Sequence, residues 1–138
     1  MKSYKSILLL LLIFAAITIT KGQTTNIRSN ANDTLNEPEI YFENTIHDYG
    51  TIKKNSNGSC KFIFKNTGNE PLVITNVKSS CGCTVPKWSK EAILPDKSGV
   101  IKIVYDTKRL GIISKTITVM SNAKTNPVEL LIKGTVIE

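Results

Sequence analysis

From residue 37 to the end of the chain, apolar residues come in short β-branched and aromatic runs, each broken by Gly, Pro or Asn. Several of these runs have a period of two, which puts successive side chains on opposite faces of an extended strand; no helical period is present. In Cys60-Lys61-Phe62-Ile63-Phe64-Lys65, residues 60, 62 and 64 share one face and the lysines take the other, as a half-buried strand requires. Asn66-Thr67-Gly68-Asn69 then turns the chain. Val100 to Tyr105 repeats the pattern, with Ile101, Ile103 and Tyr105 inward and Lys102 toward solvent. Ile117 and Val119 point inward between threonines, and Val128 to Ile137 buries Val128, Leu130 and Ile132 while exposing Glu129 and Lys133. Pro71 to Val77 carries apolar residues on both parities, which predicts a strand buried on more than one side. Pro86 to Pro95 reads as a connection. With Ile40–Phe42 and a short strand near His47–Ile52, about seven strands fit at turn spacings of roughly 8–12 residues. The expected fold is all-β, an immunoglobulin-like antiparallel β-sandwich.

Composition sets the scale of that fold. The chain has 138 residues, of which 41% are hydrophobic, enough for one domain and too apolar for a disordered polymer. Folding a chain of this size buries roughly two-thirds of its unfolded surface, so neither a disulfide nor a metal is obligatory for stability. Lys and Arg number 18 against 11 Asp and Glu, a formal +7. Lys2, Lys5 and Lys21 fall in an N-terminal segment read below as removed, which leaves fifteen basic residues against eleven acidic, a net +4. The remaining cations are spaced singly along the sequence and form no run dense enough to neutralise adjacent phosphates, so no nucleic-acid partner is expected.

Lys2 and Lys5 precede an apolar run from Ile7 to Ile19, followed by Thr20-Lys21-Gly22. That arrangement predicts a signal peptide over residues 1–22, cleaved after Gly22, with a cut after Ala16 as the alternative. About thirteen apolar residues make a helix of roughly 20 Å, short of a hydrocarbon core of about 30 Å. No cysteine follows within reach of a lipid-anchoring cleavage, and no second run is long enough to span a membrane. The mature protein is therefore expected to be periplasmic or secreted, without a transmembrane anchor. Residues 23–36 read as a polar, flexible tether and 37–138 as the sandwich domain. Asn-x-Ser/Thr tripeptides at Asn32 and Asn57 carry no weight without a eukaryotic secretory route.

Five stretches together resemble one known family: Asp48-Tyr49-Gly50-Thr51-Ile52, Phe62-x-Phe64-x-Asn66-Thr67-Gly68, Pro71-Leu72-Val73-Ile74, Ser79-Ser80-Cys81-Gly82-Cys83-Thr84 and Lys115-Thr116-Ile117-Thr118-Val119. The family is the bacterial extracytoplasmic group called domain of unknown function 1573, similar to Hydin-like and sperm-protein-like immunoglobulin-fold modules. The likeness runs from Glu39 to Glu138, and Cys-Gly-Cys-Thr is its most specific element. It implies a β-sandwich in an exported protein and no particular activity. Two positions depart from the pattern. Cys60 stands where no cysteine is expected, and Asp96 stands where the turn after Pro95 usually has glycine.

Cys81-Gly82-Cys83 is the constellation best suited to chemistry. In an extended segment both sulfurs project to one side, and Gly82 lets the backbone tighten without a side-chain penalty. Three readings follow. One cysteine of the pair bridges Cys60, closing a loop of about twenty residues and stabilising the fold by roughly 3 kcal/mol, unless Cys60 is a buried free thiol. Alternatively Cys81 and Cys83 form a dithiolate for Cu(I), a soft metal that favours thiolate; zinc, with Cys60, Cys81, Cys83 and His47, has the wrong spacing. The third is thiol–disulfide exchange by the pair, with Lys78 and Lys87 as flanking cations.

Trp88 just beyond is the single tryptophan, a candidate anchor for an envelope protein or a glycan, or else a cap on one end of the core. Lys108-Arg109-Leu110-Gly111 reads as a turn with a solvated basic pair. No Ser/His/Asp motif, phosphate-cradling loop or His cluster points to catalysis, and Asp48, Asp96 and Asp106 sit beside turn signals. The expected function is a non-catalytic binding or accessory module of the cell envelope, without cofactor; the alternative is a Cu(I) or thiol-redox protein built on Cys81 and Cys83.

Overall fold

The computed structural model describes residues 36–138. The expected signal peptide lies outside them, and so does the tether read over 23–36, apart from Asn36. Eight strands follow in order: β1 (Ile40–Phe42), β2 (Ile46–Lys53), β3 (Ser59–Asn66), β4 (Ile74–Ser79), β5 (Thr84–Lys87), β6 (Ser98–Tyr105), β7 (Gly111–Ser121) and β8 (Val128–Ile137). They form two four-stranded sheets, β1-β3-β6-β5 and β2-β8-β7-β4, with no helix among the described residues. The fold is an all-β, immunoglobulin-like sandwich. Two details differ from the expectation of about seven antiparallel strands. β2 runs parallel to β8, and β5 is a strand where the sequence suggests the start of a connection. Pro86 argues against a strand because it has no N–H to give to a ladder, but β5 lies at a sheet edge with β6 as its one partner, where that loss is tolerated.

Alternation decides which residues fill the space between the sheets. Phe62, Phe64, Ile101, Ile103 and Tyr105 face inward from the first sheet; Ile117, Val119, Leu130, Ile132 and Val136 meet them from the second. Val128 is only partly buried, at the start of its strand. Two-sided burial is not what puts apolar residues on both parities around β4. Its register against β7 slips between Ile74 and Asn76, so Thr75 is an extra residue and Ile74 and Val77, three apart, both point into the core.

A second bulge shapes β2. Tyr49 and Gly50 together oppose Gly134 of β8, and both glycines have positive φ, 62° and 150°. A Cβ on Gly134 would lie 2.8 Å from the Gly50 carbonyl oxygen. The Gly50 N–H donates to Asp48 Oδ1 at 2.8 Å, and the Tyr49 hydroxyl donates to the Gly58 carbonyl at 2.7 Å, pinning the loop before β3. The Asp48-Tyr49-Gly50 stretch is thus a bulge with its own local ties.

Asn66 does more than end a strand. Fully buried, it donates through Nδ2 to the Glu70 and Ile93 carbonyls at 2.7 and 2.9 Å. Its Oδ1 accepts from the N–H groups of Gly68 and Glu39 at 3.0 and 3.4 Å. Nearby, Asp96 has φ 63°, the left-handed conformation that favours glycine and that Asp tolerates better than most residues. Lys65 Nζ pairs with its carboxylate at 2.8 Å, and this cation holds the Asp96 carboxyl below its ordinary range.

Candidate functional site

Chain geometry puts the Cys-Gly-Cys element at one end of the sandwich. β4 belongs to the second sheet and β5 to the first, so residues 80–83 cross from one layer to the other. The crossing is tied on both sides: Ser80 N–H donates to the Thr116 carbonyl at 2.9 Å, and Asp106 N–H donates to the Cys83 carbonyl at 2.9 Å. Within it the Cys81 and Cys83 sulfurs are bonded to each other, with Cα atoms 5.3 Å apart. The Thr84 hydroxyl oxygen lies 3.6 Å from one sulfur and 3.8 Å from the other. Cys83 belongs to the core, Cys81 is half-buried, and Gly82 is exposed beside an open cavity of about 530 Å³ lined also by Gly58, Val104 and Asp106.

Cys60 stands apart. It faces inward from β3, buried and free, which corrects the reading that ties it to Cys81 or Cys83. Burial pushes its thiol up in pKa, opposed by the neighbouring Tyr49 hydroxyl. Burial and the neighbouring Cys60 also raise the Tyr49 phenol. The zinc set is not assembled. His47 sits on β2, in the opposite sheet from Cys60, with its ring edge-on to Tyr49 at 4.5 Å. Among the described residues no three His, Cys, Asp or Glu side chains come together as metal ligands.

Trp88 leans on the core at the end of β5. Its Nε1 donates to the Ile74 carbonyl at 3.4 Å, and Lys90 Nζ lies 3.8 Å from its ring centroid. The indole is thus a half-buried cap, and a lysine already occupies one position over its ring.

What the linear sequence hides is on the outer face of the first sheet. Register places Lys61 of β3 opposite Lys102 of β6, and Lys102 opposite Lys87 of β5, so three exposed lysines form one row across three strands. Apolar pairs flank the row on both sides: Val104 with Val85, and Ile63 with Val100. These four residues are 39–51% exposed. In the sequence Lys61 and Lys102 read as the solvent faces of their own strands and Lys87 as part of a connection, and only the strand pairing aligns the three.

The comparisons with known proteins agree on fold and are silent on activity. A crystal structure of a protein of unknown function from Porphyromonas gingivalis W83 superposes with a TM-score of 0.65 at 16% identity, covering 78% of this chain and 51% of that one. The ASH/PapD-like domain 7 of human CEP192 matches at 0.62 and 9% identity, over 74% of this chain and 87% of that domain. Secreted serine protease VesC of Vibrio cholerae matches at 0.54 and 12% identity, over 72% of this chain but 23% of the protease. At these identities the likeness is one of fold alone. No curated protein matches the sequence. The family described as "Protein of unknown function (DUF1573)" matches residues 40–136, most of the chain, and the protein belongs to that family.

Proposed function

We propose that this protein is a non-catalytic binding module of the cell envelope, periplasmic or secreted, that holds an envelope partner on the outer face of its first sheet. The observation that carries the reading is the lysine row between two apolar rows on that face. A sheet face left to solvent gains nothing from juxtaposing like charges, whereas a partner supplying opposite charge and apolar contact turns both features into binding energy. Export rests on the N-terminal apolar segment with its preceding lysines.

Photo-crosslinking in intact cells tests this. A photoreactive residue at Val104 is expected to give a discrete adduct, and one at Ile112, 80% exposed on the second sheet, is not. Equal labelling from both positions, or substrate turnover that is lost on Cys81→Ser, overturns the reading. The competing Cu(I) role needs two thiolates at Cys81 and Cys83, so their shared bond must first be reduced by two electrons, whereas an exchange role starts from the bond itself, attacked by a substrate thiolate to give a mixed disulfide and one freed cysteine thiolate.

A further inference from the structure

Resting on that reading, we infer that the partner is an acidic, extended polypeptide segment whose side chains alternate apolar and carboxylate along one face. It stacks on the first sheet with one carboxylate over the row formed by Lys61, Lys102 and Lys87 and apolar side chains on either side of it. Charge argues for an anion. Adjacent strands are about 4.8 Å apart, so the three lysine positions span roughly 10 Å. None of the three takes part in an ion pair among the described residues, where Asp96 and Asp48 pair with Lys65 and Lys133 instead. A trough of about 440 Å³ lies among the row, lined by Lys61, Lys87, Lys102 and Val104.

Spacing argues for a polypeptide. Along β3 the outward residues are Ser59, Lys61, Ile63 and Lys65, and along β6 they are Ser98, Val100, Lys102 and Val104, so that Lys61-Ile63-Lys65 and Val100-Lys102-Val104 switch between apolar and cationic every two residues. Same-face side chains of an extended strand repeat at that two-residue interval, about 6.8 Å, so a strand stacked nearly parallel to β6 matches the rows one for one. The complementary pattern is apolar-x-acid-x-apolar. A glycan is a poorer match: Lys90 lies over the Trp88 ring, and the rows beside the lysines are aliphatic. An anionic membrane is poorer too, because a fluid bilayer surface has no two-residue repeat to meet the alternating apolar and cationic rows.

The test uses the full chain with a synthetic peptide repeating Val-Ser-Glu-Ser. A control peptide repeating Val-Glu-Ser-Ser puts the two types on opposite faces. Isothermal titration is expected to show binding of the first peptide, weakened at least tenfold for the second and weakened by raising salt from about 50 to 500 mM. Lys61→Glu/Lys87→Glu/Lys102→Glu abolishes it, while Lys97→Glu/Lys108→Glu/Lys124→Glu, with the same change in net charge, leaves it within twofold. The corresponding Lys→Gln triple, which removes the row without adding negative charge, loses at least tenfold and guards against misfolding of the Glu variant. Equal binding of the two peptides, equal loss in both Glu triples, no binding of either peptide, or tighter binding of phosphatidylglycerol vesicles or polygalacturonate each overturns the inference. A Val104 crosslink in cells alongside any of these results leaves the binding-module reading standing with a partner of other chemistry.

Discussion

Asn66 offers the sharpest test of how this fold is held. Its side chain ties the turn that follows it, through Gly68 and Glu70, to two segments distant in sequence, at Glu39 and Ile93. Asn66→Ala removes both donors and the acceptor at a site with no solvent access. Each buried partner left unpaired costs about 1–3 kcal/mol. The Ile93 carbonyl keeps the Leu72 N–H at 2.9 Å, so counting the Glu70 carbonyl alone and letting the two N–H groups find water, the loss is about 1–3 kcal/mol, against a total stability of about 5–15 kcal/mol for a typical domain. At about 4–8 °C per kcal/mol, the melting temperature falls by at least roughly 4 °C. Asn66→Asp keeps the acceptor but turns a carboxylate oxygen toward the Glu70 and Ile93 carbonyls. Burial and those carbonyls favour the neutral acid, so the folded-state pKa of the introduced group rises above its unfolded value of about 3.9. Its stability relative to wild type is then best below that pH and falls as pH rises toward neutrality. Thermal unfolding of wild type and both variants between pH 4 and 8 is the assay. The Ala deficit is expected to stay flat with pH while the Asp deficit grows. A loss below about 1 kcal/mol for Ala, or a pH-independent deficit for Asp, would refute the account of Asn66 as the hub.

Three other outcomes follow from the same structure. Without reductant, Cys60 is expected to resist iodoacetamide in the native protein and to be the one cysteine labelled after denaturation, because it is buried and free while Cys81 and Cys83 are bonded; peptide mapping that finds Cys60 bridged refutes this. Lys102→Gln removes two like-charge neighbours at once and is expected to raise stability by a few tenths of a kcal/mol at low salt, a gain that shrinks in about 0.5 M salt; urea unfolding at both salts checks it. The Asp48 carboxyl is held below its ordinary 3.8 by the Gly50 N–H and then by Lys133, so it contributes stability above that pH that is lost as pH falls through the lower folded value. Asp48→Asn should therefore flatten that part of the acid unfolding curve, and an unchanged curve counts against the tie.

Local residue pattern made the inward faces of β3 and β6 readable, because burial on one face of a strand imposes a period of two whatever the neighbours are. Asp96 was legible as a departure from the usual glycine, and the left-handed backbone there is why glycine suits the position. Features set by pairing were not readable. β5 is a strand because β6 offers it an edge, and the bulge at Thr75 appears only against β7. The partner of Cys81 is settled by where the crossing between sheets turns, which joins its sulfur to Cys83, while Cys60 faces inward as its parity says and stays free.

The same distinction separates the parts of this molecule that hold the fold from those left over for binding. On the outer side of the second sheet, charges are placed as stability alone would place them. Asp48 lies opposite Lys133 and pairs with it at 3.3 Å, while Lys78 and Glu129 both face the neutral Thr118. On the first sheet Lys102 has a lysine on either side. Both faces are equally free of the core, so packing cannot account for the difference. Replacing Lys102 by a neutral residue leaves every inward contact of β6 in place, including those of Ile101 and Ile103, and relieves repulsion along the row. A substitution that raises stability while lowering affinity for the alternating acidic peptide would separate the two roles within one strand: its inward residues make the sandwich, and its outward residues bind.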